Sequence, residues 1–466
     1  MSPSYRKTLF SRSNSRPPGC SAPSELRFAF LAGTFGRSNP GLVVAAAVLV
    51  LLGAAPASAQ QQFDDPSQQQ SDDPSGFDLD ALQGILAIQQ LDGWLLYDYQ
   101  QQNPIAGELV DPRGKPARRW FYLIPARGKP VALVHTTDVS SFEHVPGRRV
   151  VYETHGQFAK GLAKVLKGRK RLAMEYSPMA ALPSLSRVDA GTIELVRSSG
   201  VTVRSSAELV QFTKALWGPE GRLTHYVAAH HLDELRKKAL DFVARRIRGG
   251  ETVTESDVQQ LIAHGYQIRG LVGPPPVVAA GKHTADPNHE SSQDSIIEKG
   301  ALLLIAMAVK VDKGKRAIYA QTTWMAYVGA SVPGNYTEVF EVVTRARDAA
   351  LDLLRDRVRR RRAVKGFEVD RRARTVIDKA GHADKFVHPT GHSLDTDVRG
   401  AGGNLDDYET RDTRNLVAGS GFSIAPGIYL KAEFGMRAEI NVYLGRTGVE
   451  VTTSRQEAIT AILADE

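Results

Sequence analysis

His388-Pro389-Thr390-Gly391-His392-Ser393-Leu394-Asp395, Phe422-Ser423-Ile424-Ala425-Pro426-Gly427-Ile428-Tyr429 and Gly435-Met436-Arg437-Ala438-Glu439-Ile440-Asn441 decide the fold of this 466-residue chain. The second and third lie in apolar runs, 421–429 and 437–444, that read as strands. Further strand-like runs precede them at 301–309 and 317–328. Helical patterns fill 224–246, a stretch opening at Glu255 with Thr254 as its N-cap, 337–361 and 367–380. Strands joined as hairpins, with helices inserted between the pairs, predict an antiparallel sheet backed by helices.

The first half reads differently. Short apolar or aromatic runs at 93–97, 120–124, 131–134 and 172–176 are bounded by Asp, Pro and Gly and predict strands, and 158–166 predicts an amphipathic helix. The expected class is therefore α+β, with an α/β domain over 79–212 followed by a second domain over 213–466.

Ahead of both, residues 1–59 predict a secretory signal. A basic stretch leads into a short apolar run that closes on Ala57-Ser58-Ala59, small residues at the positions a signal peptidase reads. The run is too short and Ala-rich to span a bilayer comfortably. Residues 60–78 repeat Gln-Gln-Gln and Asp-Asp-Pro-Ser and predict a polar tether. The expected protein is exported, periplasmic or secreted, with no membrane span in the mature chain. The single cysteine, Cys20, excludes a disulfide framework, a Cys-rich zinc site and a thiol pair. Of the formal charge of +8, +5 sits in residues 1–59, so the remainder gives no reason to expect a nucleic-acid partner. The arginine run 359–362 reads as a solvated helix end.

The three quoted segments, in their order His-x-x-x-His, Pro-Gly-Ile-Tyr and Gly-x-Arg-x-Glu, resemble the M24-type metallopeptidases: Xaa-Pro aminopeptidase, prolidase and creatinase. The resemblance covers about 79–466. It implies a creatinase-type N-terminal domain and a C-terminal pita-bread domain. It also implies chemistry in which two divalent cations share a bridging water, lower its pKa and deliver hydroxide to the scissile carbonyl. The family holds those ions with two Asp, one His and two Glu. Carried over residue by residue, His392 meets the His position and Glu439 the bridging Glu position. The two Asp positions hold Ala306 and Gln321, and the first Glu position holds Ala425. No carboxylate stands within 301–309 or 417–430, and a one-residue slip along a strand would turn a side chain to the other face. Two pocket histidines of the family are matched by His289 and His388. A third is replaced by Arg399.

Two protein ligands fall below the three that catalytic sites usually present. The resemblance thus implies a pseudopeptidase that binds a peptide or a protein partner, with a peptide or an anionic small molecule as the expected cleft ligand and no cofactor expected. The alternatives are an active Xaa-Pro aminopeptidase or dipeptidase using Mn, Co or Zn, and a structural partner that dimerises with an active relative. A homodimer is expected, as in the family. No other catalytic apparatus presents itself: Gly-x-Ser-x-Gly, His-Glu-x-x-His and a phosphate loop are absent from the sequence. Ser393 beside His392 is no nucleophile and base pair, since neighbours on a strand face opposite sides.

Overall fold

The computed structural model describes residues 78–312 and 316–464. The expected signal, 1–59, and the expected tether, 60–78, lie outside the described residues, apart from Asp78. That residue already belongs to the fold: its carboxylate accepts from the Ala81 N–H at 2.9 Å and caps the helix Leu79–Ile88.

In the first half, six strands form one mixed sheet. Their spatial order is Arg148–Tyr152, Val131–His135, Trp120–Pro125, Gly93–Asp98, Arg171–Met174 and Thr202–Ser205. The central pair, Gly93–Asp98 and Trp120–Pro125, is antiparallel and buried at every residue. Side-chain alternation explains the unbroken apolar runs. Trp94, Leu96, Trp120 and Tyr122 pack on one side with Leu82, Leu86 and Leu209. Leu95, Tyr97, Phe121 and Leu123 pack on the other with Phe158, Leu162 and Ile193. The outer strands Arg148–Tyr152 and Thr202–Ser205 escape the sequence pattern because half-exposed positions admit Arg148, Arg149, Thr202 and Arg204. The helix expected at 158–166 starts earlier, at His155, because Thr154 and Gln157 form a capping box.

The second half is built around the antiparallel hairpin Leu302–Val311 and Ala320–Tyr327. Leu303, Ile305, Met307 and Val309 pack with Leu232 and Leu235 of the helix Pro219–Arg248 and with Val258 and Ile262 of the helix Glu255–Ile268. Leu302, Leu304 and Met325 turn to the opposite side. There they join Val343 and Leu351 of the helix Gly334–Arg359, Val369 and Ile377 of the helix Gly366–Lys379, and Phe422 and Ile440 of a second sheet. That sheet is antiparallel, ordered Ser393–Leu394, Ser420–Ile424, Ile440–Leu444, Val449–Val451.

Two expected strands are each broken in two, which corrects the reading of 421–429 and 437–444. Ser420–Ile424 pairs with Ile440–Leu444, whereas Gly427–Leu430 pairs with Phe434–Arg437 in a separate ladder. Pro426 has no N–H to donate, and the Ala425 N–H leaves the sheet for the Thr390 carbonyl at 2.7 Å. The apolar pattern runs through this crease unbroken, so periodicity cannot reveal it. Of the arginine run, Arg359 and Arg360 pair with Asp356 at a helix end that is largely exposed. Among the described residues no helix is long and apolar enough to cross a membrane.

Candidate functional site

The crease between the two ladders carries the site. Ile424 faces Ile440 as the last pair of one ladder, and Gly427 faces Arg437 as the last pair of the other. Ala425 and Glu439 lie in the gap. The Glu439 carboxylate is 7% exposed, and each of its oxygens accepts a hydroxyl proton: Oε1 from Ser423 Oγ and Oε2 from Thr323 Oγ1, both at 2.6 Å. The chain of donors continues outward, because Arg437 Nε donates to Thr323 Oγ1 at 2.9 Å.

The hairpin supplies the facing wall. Ala306 is the cross-strand partner of Thr323, and Gln321 is the partner of Ala308. Partners directly opposite share a face, as do residues two apart on one strand. Ala306, Gln321 and Thr323 therefore point the same way, toward Glu439. Gln321 is occupied twice. Its N–H donates to Asn441 Oδ1 at 2.7 Å, and its side-chain Nε2 donates to the Val398 carbonyl at 2.6 Å. The second bond fastens the loop that carries Arg399.

His392 reaches the same place from the segment 388–395. A Cβ on Gly391 would lie 1.8 Å from the Ser423 carbonyl oxygen, so glycine is required for this close approach. The Ser423 N–H donates to the His392 carbonyl at 2.9 Å and fixes the register. The ring Nδ1 donates to the Ser393 carbonyl at 2.9 Å, which leaves a lone pair on Nε2. Burial lowers the His392 pKa first of all; Glu439 opposes the shift, and Arg399 and Arg437 reinforce it. The ring is neutral at pH 7.

His388 is held in a bond of its own. Nδ1 donates to the Pro389 carbonyl and Nε2 accepts from the Tyr429 hydroxyl, both at 2.8 Å. Burial, ahead of the nearby arginines, pushes its pKa down to about 4. Burial raises that of Tyr429. Arg399 is exposed and makes no ion pair among the described residues, and its charge reaches both His388 and His392. Its loop is shaped by the buried Asp395, which accepts from the Asp397 and Ala401 N–H groups at 2.8 and 2.6 Å.

His289 is bonded elsewhere. Its Nε2 lies 2.6 Å from Oε2 of the fully buried Glu255, and His283 Nδ1 lies 2.9 Å from the other oxygen. The structure thus gathers Ala306, Gln321, Ala425, His392 and Glu439 at the crease, with Arg399 at its edge. It pairs His388 with Tyr429, and His289 with Glu255. Sequence reasoning missed Ser423 and Thr323, the two hydroxyls on Glu439. Each stands two residues from a ligand position, Ala425 and Gln321, and period two was the signal that both share its face.

These residues do not fit a pair of divalent ions. The one carboxylate present, Glu439, has an acceptor position on each oxygen taken by the Ser423 and Thr323 hydroxyls. Positions 306, 321 and 425 offer no carboxylate, and Arg399 and Arg437 add positive charge beside the one that remains.

Residues 228–446 match metallopeptidase family M24. The chain carries an M24 domain. The probable dipeptidase PepE of Mycobacterium tuberculosis is 28% identical over 243 residues, which is 49% of this chain and 58% of that protein. The Xaa-Pro dipeptidase of Pyrococcus furiosus is 24% identical over 228 residues, covering 48% of this chain and 60% of that one. The matches thus span less than two thirds of either relative. Among solved structures, dipeptidase PepE from Mycobacterium ulcerans superposes with a TM-score of 0.62 at 22% identity, over 82% of this chain and 96% of that one. Recombinant prolidase from Thermococcus sibiricus gives 0.55 at 21%, over 82% and 98%. These likenesses show the fold, and the M24 domain has the pita-bread fold.

Proposed function

We propose that the protein is an exported, catalytically inactive M24 relative whose cleft binds a peptide or a small anionic ligand. The observation that carries this reading is the setting of Glu439: it is the one carboxylate among positions 306, 321, 392, 425 and 439, and its two oxygens accept hydrogen bonds from the Ser423 and Thr323 hydroxyls. The neutral side chains at positions 306, 321 and 425 support it, because one carboxylate cannot offset the repulsion of two dications held side by side. Arg399 and Arg437 beside a neutral His392 outnumber the single carboxylate, which favours a negatively charged occupant such as a peptide C-terminus.

The test is metal content and turnover in parallel. The purified protein should show no cleavage of Xaa-Pro dipeptides or tripeptides with Mn, Co or Zn added. It should retain no ion whose binding depends on His392 or Glu439. Two tightly bound equivalents lost on Glu439→Gln, or turnover abolished by His392→Ala, would overturn the reading. For export, N-terminal sequencing of the protein from its host should begin near Gln60. An intact Met1 on cytoplasmic protein would reject it.

A further inference from the structure

Glu255 is the second feature of this half that calls for an explanation. It opens the helix Glu255–Ile268 and is fully buried. Among the described residues its ion-pair partners are His283 and His289 alone, with no Lys or Arg. Oε1 also accepts from the Ala280 N–H at 2.8 Å. The two histidines satisfy its hydrogen bonds, and among the described residues no Lys or Arg pairs with this buried carboxylate, whose removal from water is costly.

The two rings stack with centroids 4.7 Å apart and planes at 19°. One nitrogen of each and one Glu255 oxygen lie within 4.8 Å of one another. His283 is one-third exposed and His289 is 13% exposed, so the group opens to solvent on the histidine side. Two imidazoles and a carboxylate meet the three-ligand count of an open zinc-type site, with solvent completing the coordination. Nitrogen-rich donors select zinc and its late first-row neighbours over Mg²⁺ or Ca²⁺. The Ala280 N–H would hold the carboxylate in place from behind.

We propose that Glu255, His283 and His289 bind a single divalent cation of the zinc class, at a site separate from the His392–Glu439 crease. On binding, the ion takes the lone pairs of His283 Nδ1 and His289 Nε2, and each ring keeps its proton on the other nitrogen. The dication places positive charge directly against the buried carboxylate. The proposal does not rest on the inactivity of the crease, and the test separates the two.

Metal-stripped full-length protein is titrated with Zn²⁺ against a chromophoric chelator. One equivalent should bind the unmodified protein and Glu439→Gln alike. His283→Ala should weaken it by more than the roughly 10–100-fold that loss of an outer-shell contact brings. Thermal unfolding in chelator confirms that the variant is folded. Independently of any variant, Co²⁺ added to the unmodified protein should broaden the His283 and His289 ring signals by NMR and spare His392. Absence of Zn²⁺ binding, retention of full affinity in His283→Ala, loss of the ion in Glu439→Gln, or broadening centred on His392 would each overturn the assignment.

Discussion

Ser423→Ala removes one of the two hydroxyls that hold Glu439 and leaves a carboxylate oxygen without its 2.6 Å donor in a site where Ser423 is 1% and Glu439 7% exposed. A hydrogen bond to a charged group contributes about 1.5–3 kcal/mol. The lost atom is small, so little cavity energy is added, and the expected destabilisation is about 2 kcal/mol. Thr323→Val conserves volume but also strands Arg437 Nε, so its cost should equal or exceed that of Ser423→Ala. The assay is urea unfolding with the slope checked for constancy, in buffer with and without EDTA. A Glu439→Gln background sharpens it: without the charge, the cost of Ser423→Ala should shrink toward the ~1 kcal/mol of a neutral bond, and the difference is the coupling energy. The reasoning fails if Ser423→Ala is neutral within about 0.5 kcal/mol while EDTA destabilises the unmodified protein through Glu439. That pattern would mean ions, not hydroxyls, hold the carboxylate.

Burial pushes the Glu175 carboxyl up to about 7, against hydrogen bonds from Trp94, Asn103 and Ser206 that pull it down. Between the ordinary value of 4.5 and about 7 the folded chain keeps a proton that the unfolded chain releases, so stability falls as pH rises through that window, by roughly 3 kcal/mol. Glu175→Gln should flatten that slope in unfolding measured from pH 4 to 8; an unchanged slope rejects the assignment. Arg399→Ala should weaken binding of a Xaa-Pro dipeptide by about 1–3 kcal/mol in calorimetry, and equal affinity would remove Arg399 from the ligand site. Ala306→Asp, Gln321→Asp and Ala425→Glu made together should raise Mn²⁺ affinity at the crease, read as metal lost again on adding Glu439→Gln. No gain would show that these three positions are not the missing ligands.

How far the sequence could be read depended on whether a residue's role was local. Trp94 to Tyr97 and Trp120 to Ile124 declare themselves as strands because both faces are covered, so each residue in turn must be apolar. Thr254 announces its helix because a cap acts within one turn. The crease at Ala425-Pro426 is hidden, since the apolar residues continue on either side while the pairing partner changes. His392 and Glu439 were singled out by the family resemblance of their motifs, but the donors on Glu439 were not. A serine or threonine in a strand carries no mark of its partner, and Thr323 lies 116 residues from the carboxylate it binds. The tie between His289 and Glu255 was hidden for the same reason: Glu255 stands 34 residues earlier, and nothing in the register of 285–290 records that its carboxylate meets the ring.

Ser423 and Thr323 also change what the shape of the cleft depends on. The occupancy of an ion follows its concentration, so a carboxylate held by ions loosens when they are scarce or are taken by a competitor. Hydroxyls fastened to two strands are present at full occupancy in every molecule and in any medium. If those two hydrogen bonds hold Glu439, as proposed, the walls around it are set when the chain folds and would keep their geometry whatever the mineral content of the surroundings.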